Sequence, residues 1–176
     1  FRRVLFRSDK FIIGSFQRDT EGGTRNPKLE KGPDLFCDYV EKIKDEKDIH
    51  VLLGGWRREY VIDRLQAAEI PFTFFEKVPL EQLRVMYGAC DLYVVASRFE
   101  GGPQAVLEAS SMKVPIISRD VGIADAVLEP RCVVDIPNEL FMPDDDSVEK
   151  NYQNVQDYSI VLHKNSYLQI FESVLK

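Results

Sequence analysis

Arg98-Phe99-Glu100-Gly101-Gly102-Pro103-Gln104-Ala105-Val106-Leu107-Glu108-Ala109 decides the fold of this chain. The apolar run Leu92-Tyr93-Val94-Val95-Ala96 leads into it and reads as a buried strand. Ser97 turns the chain, a glycine pair follows, and Pro103 suits the first turn of a helix. Strand, glycine-bearing turn and helix start together form an anion and nucleotide site, because unpaired N–H groups and the helix dipole both favour negative charge there. Two carboxylates, Glu100 and Glu108, bracket the helix start as acceptors for hydroxyls. The ligand suggested carries both phosphates and sugar hydroxyls.

The same strand–turn–helix pattern repeats along the chain. Phe11–Phe16 reads as a first strand, and a loop from Gln17 to Pro27 exceeds the usual length of such connections. Lys31-Gly32-Pro33-Asp34 opens a helix that carries Leu35, Phe36, Tyr39, Val40 and Ile43 at helical spacing. Strands are predicted at Ile49–Leu53, Pro71–Phe75, Asp91–Ala96, Val114–Ser118 and Cys132–Asp135, with helices at about 57–68, from Pro79, and at about 103–112. A short helical piece spans Ile123–Leu128. The acidic stretch Pro143–Ser147 reads as a helix start, and Asn154–Lys176 as one apolar-striped helix. Alternation of this kind predicts an α/β fold: a doubly wound, Rossmann-like parallel sheet of about six strands with helices on both faces. The ligand then lies at the carboxyl ends of the strands, where Arg18, Gly54-Gly55, Ser97 to Gly102 and Gly122 all fall. Residues 1–10 are assigned to a linker or cut end, 11–153 to the Rossmann-like domain and 154–176 to a helical tail.

Composition narrows the function. A chain of 176 residues with 44% apolar and 30% charged residues is an ordinary globular protein. Its net charge of -6 argues against a nucleic-acid-binding surface. Cys37, Cys90 and Cys132 are far apart and read as reduced, buried thiols, which points to a cytoplasmic protein. No G-x-G-x-x-G follows the first strand, and there is no Walker loop and no G-x-S-x-G elbow. His50 and His163 have no companions at metal-ligand spacing, so no metal is expected.

Glu100 to Glu108, taken with Pro79-Leu80-Glu81-Gln82-Leu83, Met86-Tyr87, Ala89 to Val94, Ser97, Val114 to Ile117 and Asp120-Val121-Gly122, resembles the E-x7-E region of the retaining GT-B glycosyltransferases of family 4. The strand with Gly54-Gly55 and the Lys31-Gly32 helix start agree, and the resemblance covers about residues 11–176. It implies the C-terminal, donor-binding half of an enzyme that moves a sugar from a UDP-, GDP- or ADP-linked donor to a hydroxyl, with no required cofactor. The acceptor half would be an N-terminal GT-B domain absent from this chain, through which any peripheral contact with the cytosolic face of a membrane would run.

Residue by residue, the resemblance makes Glu100 the catalytic group at the donor sugar and Glu108 the clamp on the ribose hydroxyls. It gives Gly101 and Gly102 the N–H groups for sugar or diphosphate, and Arg18 and Lys31 the diphosphate charge. Ser97 and Gly55 belong to the same rim, and the base would sit between Trp56 or Arg57 and the segment near Val78. The spacing from Arg18 to Lys31 is longer than the family's, which keeps Arg25 and Lys28 as alternatives to Arg18. Two other functions stay open: a non-catalytic nucleotide-binding module with the same fold, and a fragment of a GT-B sugar epimerase.

Overall fold

The computed structural model describes residues 9–136 and 139–175. The first eight residues of the expected linker, 1–10, and the last residue of the tail lie outside them. Five parallel strands form one sheet: β1 (Phe11–Phe16), β2 (Ile49–Gly55), β3 (Phe72–Glu76), β4 (Leu92–Val95) and β5 (Ile116–Ser118). Their order is β3-β2-β1-β4-β5, so the chain runs to one edge, then reverses from the centre to the other. The reversal falls between β1 and β4, and their carboxyl ends open the crevice where open α/β sheets bind ligands.

Successive residues of a strand point to opposite faces, and the two cores follow from that. Ile13, Val51, Leu53, Leu92 and Val94 face one way, toward α1 (Pro33–Ile43) and α2 (Glu59–Ala67). Ile12, Leu52, Tyr93 and Val95 face the other way, toward α3 (Leu80–Tyr87), α4 (Gln104–Ser111), α5 (Ala124–Val127) and α6 (Asp145–Gln156). Each strand is therefore apolar on both faces, as a parallel sheet between two helix layers requires.

Two expectations are corrected. The sixth strand is a single bridge between Ser118 and Val133. Pro130–Cys132 form a 3-10 turn just before it, which takes Cys132 out of the expected strand. The tail is not one helix. Asp157 caps the end of α6, Ser159 accepts from Val161 N, and a separate helix, α7, covers Ile160–Val174. None of α7 is buried, and its apolar residues face solvent. Asp144 begins α6 as expected of the acidic stretch, its carboxylate accepting from the Ser147 N–H at 2.9 Å. Among the described residues no helix is long and apolar enough to cross a membrane.

Candidate functional site

The loops after β1 and β4 are sewn together across the switch point. A 3-10 turn, Leu29–Lys31, precedes α1, and the N–H groups of Arg98 and Phe99 both donate to the Glu30 carbonyl, at 2.8 and 3.1 Å. Arg98 grips Asp34 with two bonds of 2.7 Å and adds a third, of 2.8 Å, to the Leu29 carbonyl. This paired guanidinium holds the Asp34 carboxyl below its ordinary value. Gly32 allows the two loops to touch. Its φ is +60°, and a Cβ there would lie 2.0 Å from the Ala96 carbonyl oxygen.

Inside that frame sits Glu100. One of its carboxylate oxygens accepts from Lys31 Nζ at 2.5 Å and from Ser97 Oγ at 2.9 Å. Ser97 is fully buried, so its hydroxyl is a fixed strut and not a loose turn cap. Gln17 completes the frame, donating to the Lys31 carbonyl at 2.9 Å. Lys31, Glu100 and Gly101 line one open hollow of about 500 Å³, closed on the β5 side by Asp120 and Gly122. Gly122 presses against the Gly101 backbone, where an added Cβ would meet it at 3.0 Å, and so sets the shape of the glycine turn. Gly101 and Gly102 are themselves exposed, with open space above their Cα atoms.

Glu108 is not in this hollow. One turn into α4, it accepts from Tyr87 Oη at 2.8 Å and faces a separate cavity of about 400 Å³ between α3, α4 and α6. Burial is the chief reason the Tyr87 hydroxyl is pushed far above its ordinary value, with the Glu108 charge adding to it. Tyr87 thus stays a proton donor to Glu108.

Arg18 and Arg57 form a third group. Trp56, exposed after β2, has the Arg57 guanidinium 4.0 Å from its ring centroid, Lys77 Nζ at 5.0 Å and the Arg18 guanidinium at 6.0 Å. Gly55 ends β2 against the Gln17 backbone, and Val78 is half-buried before α3. Of the alternatives to Arg18, Arg25 pairs with Asp63 on α2, while Lys28 lines the hollow and pairs with Glu30 at 3.1 Å.

Sequence reading missed the residue beneath these loops. Arg58, next to the predicted Arg57, is completely buried and donates to Asp19, to the Ser15 and Gly54 carbonyls and to Ser15 Oγ. Buried arginine is rare, and nothing in its local pattern distinguishes it from a surface charge at a helix start. Among the described residues no group of three or more His, Cys, Asp or Glu side chains could hold a metal ion.

Comparison with known proteins gives these features a context. The profile of the family described as Glycosyl transferases group 1 matches residues 23–156. Sucrose-phosphate synthase from Thermosynechococcus elongatus superposes with a TM-score of 0.74 at 17% identity, over 98% of this chain and 47% of that one. Anabaena HepE in complex with UDP and glucose gives 0.72 at 16% identity, over 98% and 51%. The catalytic domain of cholesterol-alpha-glucosyltransferase from Helicobacter pylori gives 0.63 at 20% identity, over 85% and 99%. The chain spans about half the length of the first two. No curated protein matches it.

Proposed function

This chain belongs to the group 1 glycosyl transferases, and we propose that it is the donor-binding half of a retaining enzyme that moves a sugar from a UDP-, GDP- or ADP-linked donor to an acceptor hydroxyl. One observation carries the reading. Across the switch point, a lysine and a carboxylate are held together beside an open glycine turn, in a hollow large enough for a sugar.

The chemistry follows from those groups. The bond between the anomeric carbon and the diphosphate oxygen breaks, and its electron pair leaves with the nucleoside diphosphate. The acceptor oxygen bonds to the same carbon, and its proton passes to the departing diphosphate. Negative charge therefore grows on the diphosphate, where Lys31 offers two N–H groups beyond the one held by Glu100. Exposed N–H groups at Gly101 and Gly102 supply further donors, and Arg18 a second cation. Glu100 takes donor-sugar hydroxyls, with Ser97 fixing its orientation, and Glu108 takes the ribose hydroxyls. The base lies beside Trp56 and Arg57, near Gly55 and Val78. The enzyme works without a bound metal, in the cytoplasm, and the acceptor-side half comes from an N-terminal domain.

Titration calorimetry with UDP, GDP and ADP is the direct test. Binding of at least one is expected; failure of all three to bind at millimolar concentration overturns the proposal.

A further inference from the structure

Arg18 and Lys31, the two cations of the diphosphate reading, stand thirteen residues apart on one long loop. Residues 21–26 of that loop are all exposed, and exposed loop chain does not fix a distance by itself. Cross-links do so here. The Glu21 N–H donates to the Asn26 carbonyl at 3.1 Å, and the Lys28 N–H to the Asp19 carbonyl at 2.8 Å. Those two rungs run from backbone to backbone. The third, nearest the site, is made by a side chain: Gln17 Nε2 donates to the Lys31 carbonyl at 2.9 Å.

Both ends of this rung are anchored. A Cβ on Gly55 would lie 3.0 Å from the Gln17 carbonyl oxygen, so the end of β2 packs directly on the Gln17 backbone. Arg18, the next residue, is tied by its Nε to the Thr20 carbonyl at 3.0 Å. At the other end, Ser97 Oγ lies 3.4 Å from the Lys31 carbonyl but gives its single proton to Glu100, at 2.9 Å. Gln17 is therefore the close donor that holds the Lys31 main chain, from which the ammonium extends to Glu100. Gln17 itself does not line the hollow. We propose that Gln17 is a positioning residue for the diphosphate, setting the spacing of Arg18 and Lys31 across the loop. Cations already at their working distance need no ordering when the ligand arrives, and that saving appears as affinity. This rests on the donor-binding reading above and adds a residue that acts through Lys31.

The test is titration calorimetry of the full-length protein with UDP, GDP and ADP and with the matching monophosphates. Its readout is the preference for diphosphate over monophosphate, taken for the nucleotide that binds tightest. Gln17→Met, similar in length but without a donor, should lower that preference about ten-fold, the worth of one hydrogen bond, with monophosphate affinity changed less than about two-fold. Gln17→Glu should lower it further, because a carboxylate there repels the Lys31 carbonyl and competes with the diphosphate for the ammonium. Thr24→Ala loosens only the exposed tip of the loop, where Thr24 Oγ1 donates to the Glu21 carbonyl at 2.8 Å, and should leave the preference unchanged. General loosening of the fold would weaken both forms of the nucleotide alike. An unchanged preference in Gln17→Met, equal losses for mono- and diphosphate, or the same drop in Thr24→Ala each overturns the proposal. So does a parent protein that binds the two forms equally. Failure of all three diphosphates to bind the parent instead defeats the donor-binding reading itself.

Discussion

Arg58 and Asp19 form an ion pair closed to solvent on both sides: Nε lies 2.8 Å from Oδ2, and neither side chain has any exposure. The guanidinium also accounts for the carbonyls at the ends of β1 and β2, so it locks the two strands beneath the rim cations Arg18 and Arg57. The second oxygen of Asp19 has no hydrogen-bond partner, and burial raises its carboxyl above the ordinary value against the pull of Arg58. Removing the arginine alone would leave a buried carboxylate unpaired. Arg58→Met should cost about 3–5 kcal/mol in chemical denaturation, and adding Asp19→Asn should recover part of that loss. A single-variant cost below about 1 kcal/mol would show that the pair contributes little.

Acid should weaken the seam between the two loops. The hydrogen bonds from Arg98 hold the Asp34 carboxyl below its ordinary value in the folded chain. A lowered folded value means that the stabilisation is present above the unfolded value and is lost as pH falls through the folded one. Asp19 shifts the other way, so total stability mixes both signs. The difference between the parent and Asp34→Asn isolates the seam. It should be constant near neutrality and shrink below about pH 4. A difference independent of pH down to acid unfolding contradicts the assignment.

Glu108 carries the proposed ribose contact from a cavity apart from that of Glu100. Glu108→Ala should weaken UDP, GDP or ADP binding about ten- to hundred-fold, as loss of a charged hydrogen-bond acceptor does, while leaving pyrophosphate affinity alone. Equal losses for both ligands would remove Glu108 from the ribose. Tyr87→Phe is the informative companion, because it frees the Glu108 carboxylate without removing it. A smaller effect in the same direction is expected.

For Glu100 the split should run the other way. Glu100→Gln keeps the size of the side chain and an oxygen for Ser97, but loses the charge that Lys31 meets. Sugar transfer by the full-length protein should drop about hundred-fold or more, with a much smaller change in nucleoside diphosphate affinity. Unaltered transfer would exclude a role at the reacting sugar.

Why the sheet was legible and parts of the site were not comes down to range. Strands such as Leu92–Val95 announce themselves locally, since apolar residues on both faces have no other use in a short run. Gly32, Gly101 and Gly122 announce turns for the same reason. Arg58 and Arg57 are neighbours of one type, yet one is sealed in the interior and the other lies against Trp56. Which is which depends on Asp19 and Ser15, about forty residues away in sequence. The spacing of Glu100 and Glu108 was equally plain, but not that Tyr87 would draw the second toward a different cavity. The tail misled for a related reason. Its apolar stripe continues through Asp157–Ser159, but a serine able to cap a new helix ends one and begins another.

That break at Ser159 also sets where cooperative unfolding ends. α6 contributes Val155 to the core, whereas every described residue of α7 is exposed. A helix that buries nothing adds no term to the unfolding transition and opens on its own. Amide exchange along Ile160–Val174 should therefore be fast and uncoupled from denaturant, while Leu52 and Val94, fully enclosed in the sheet, should exchange only through global unfolding. Truncation after Tyr158 should leave the melting temperature of the remaining chain unchanged. In energetic terms the last helix is a passenger on the described fold.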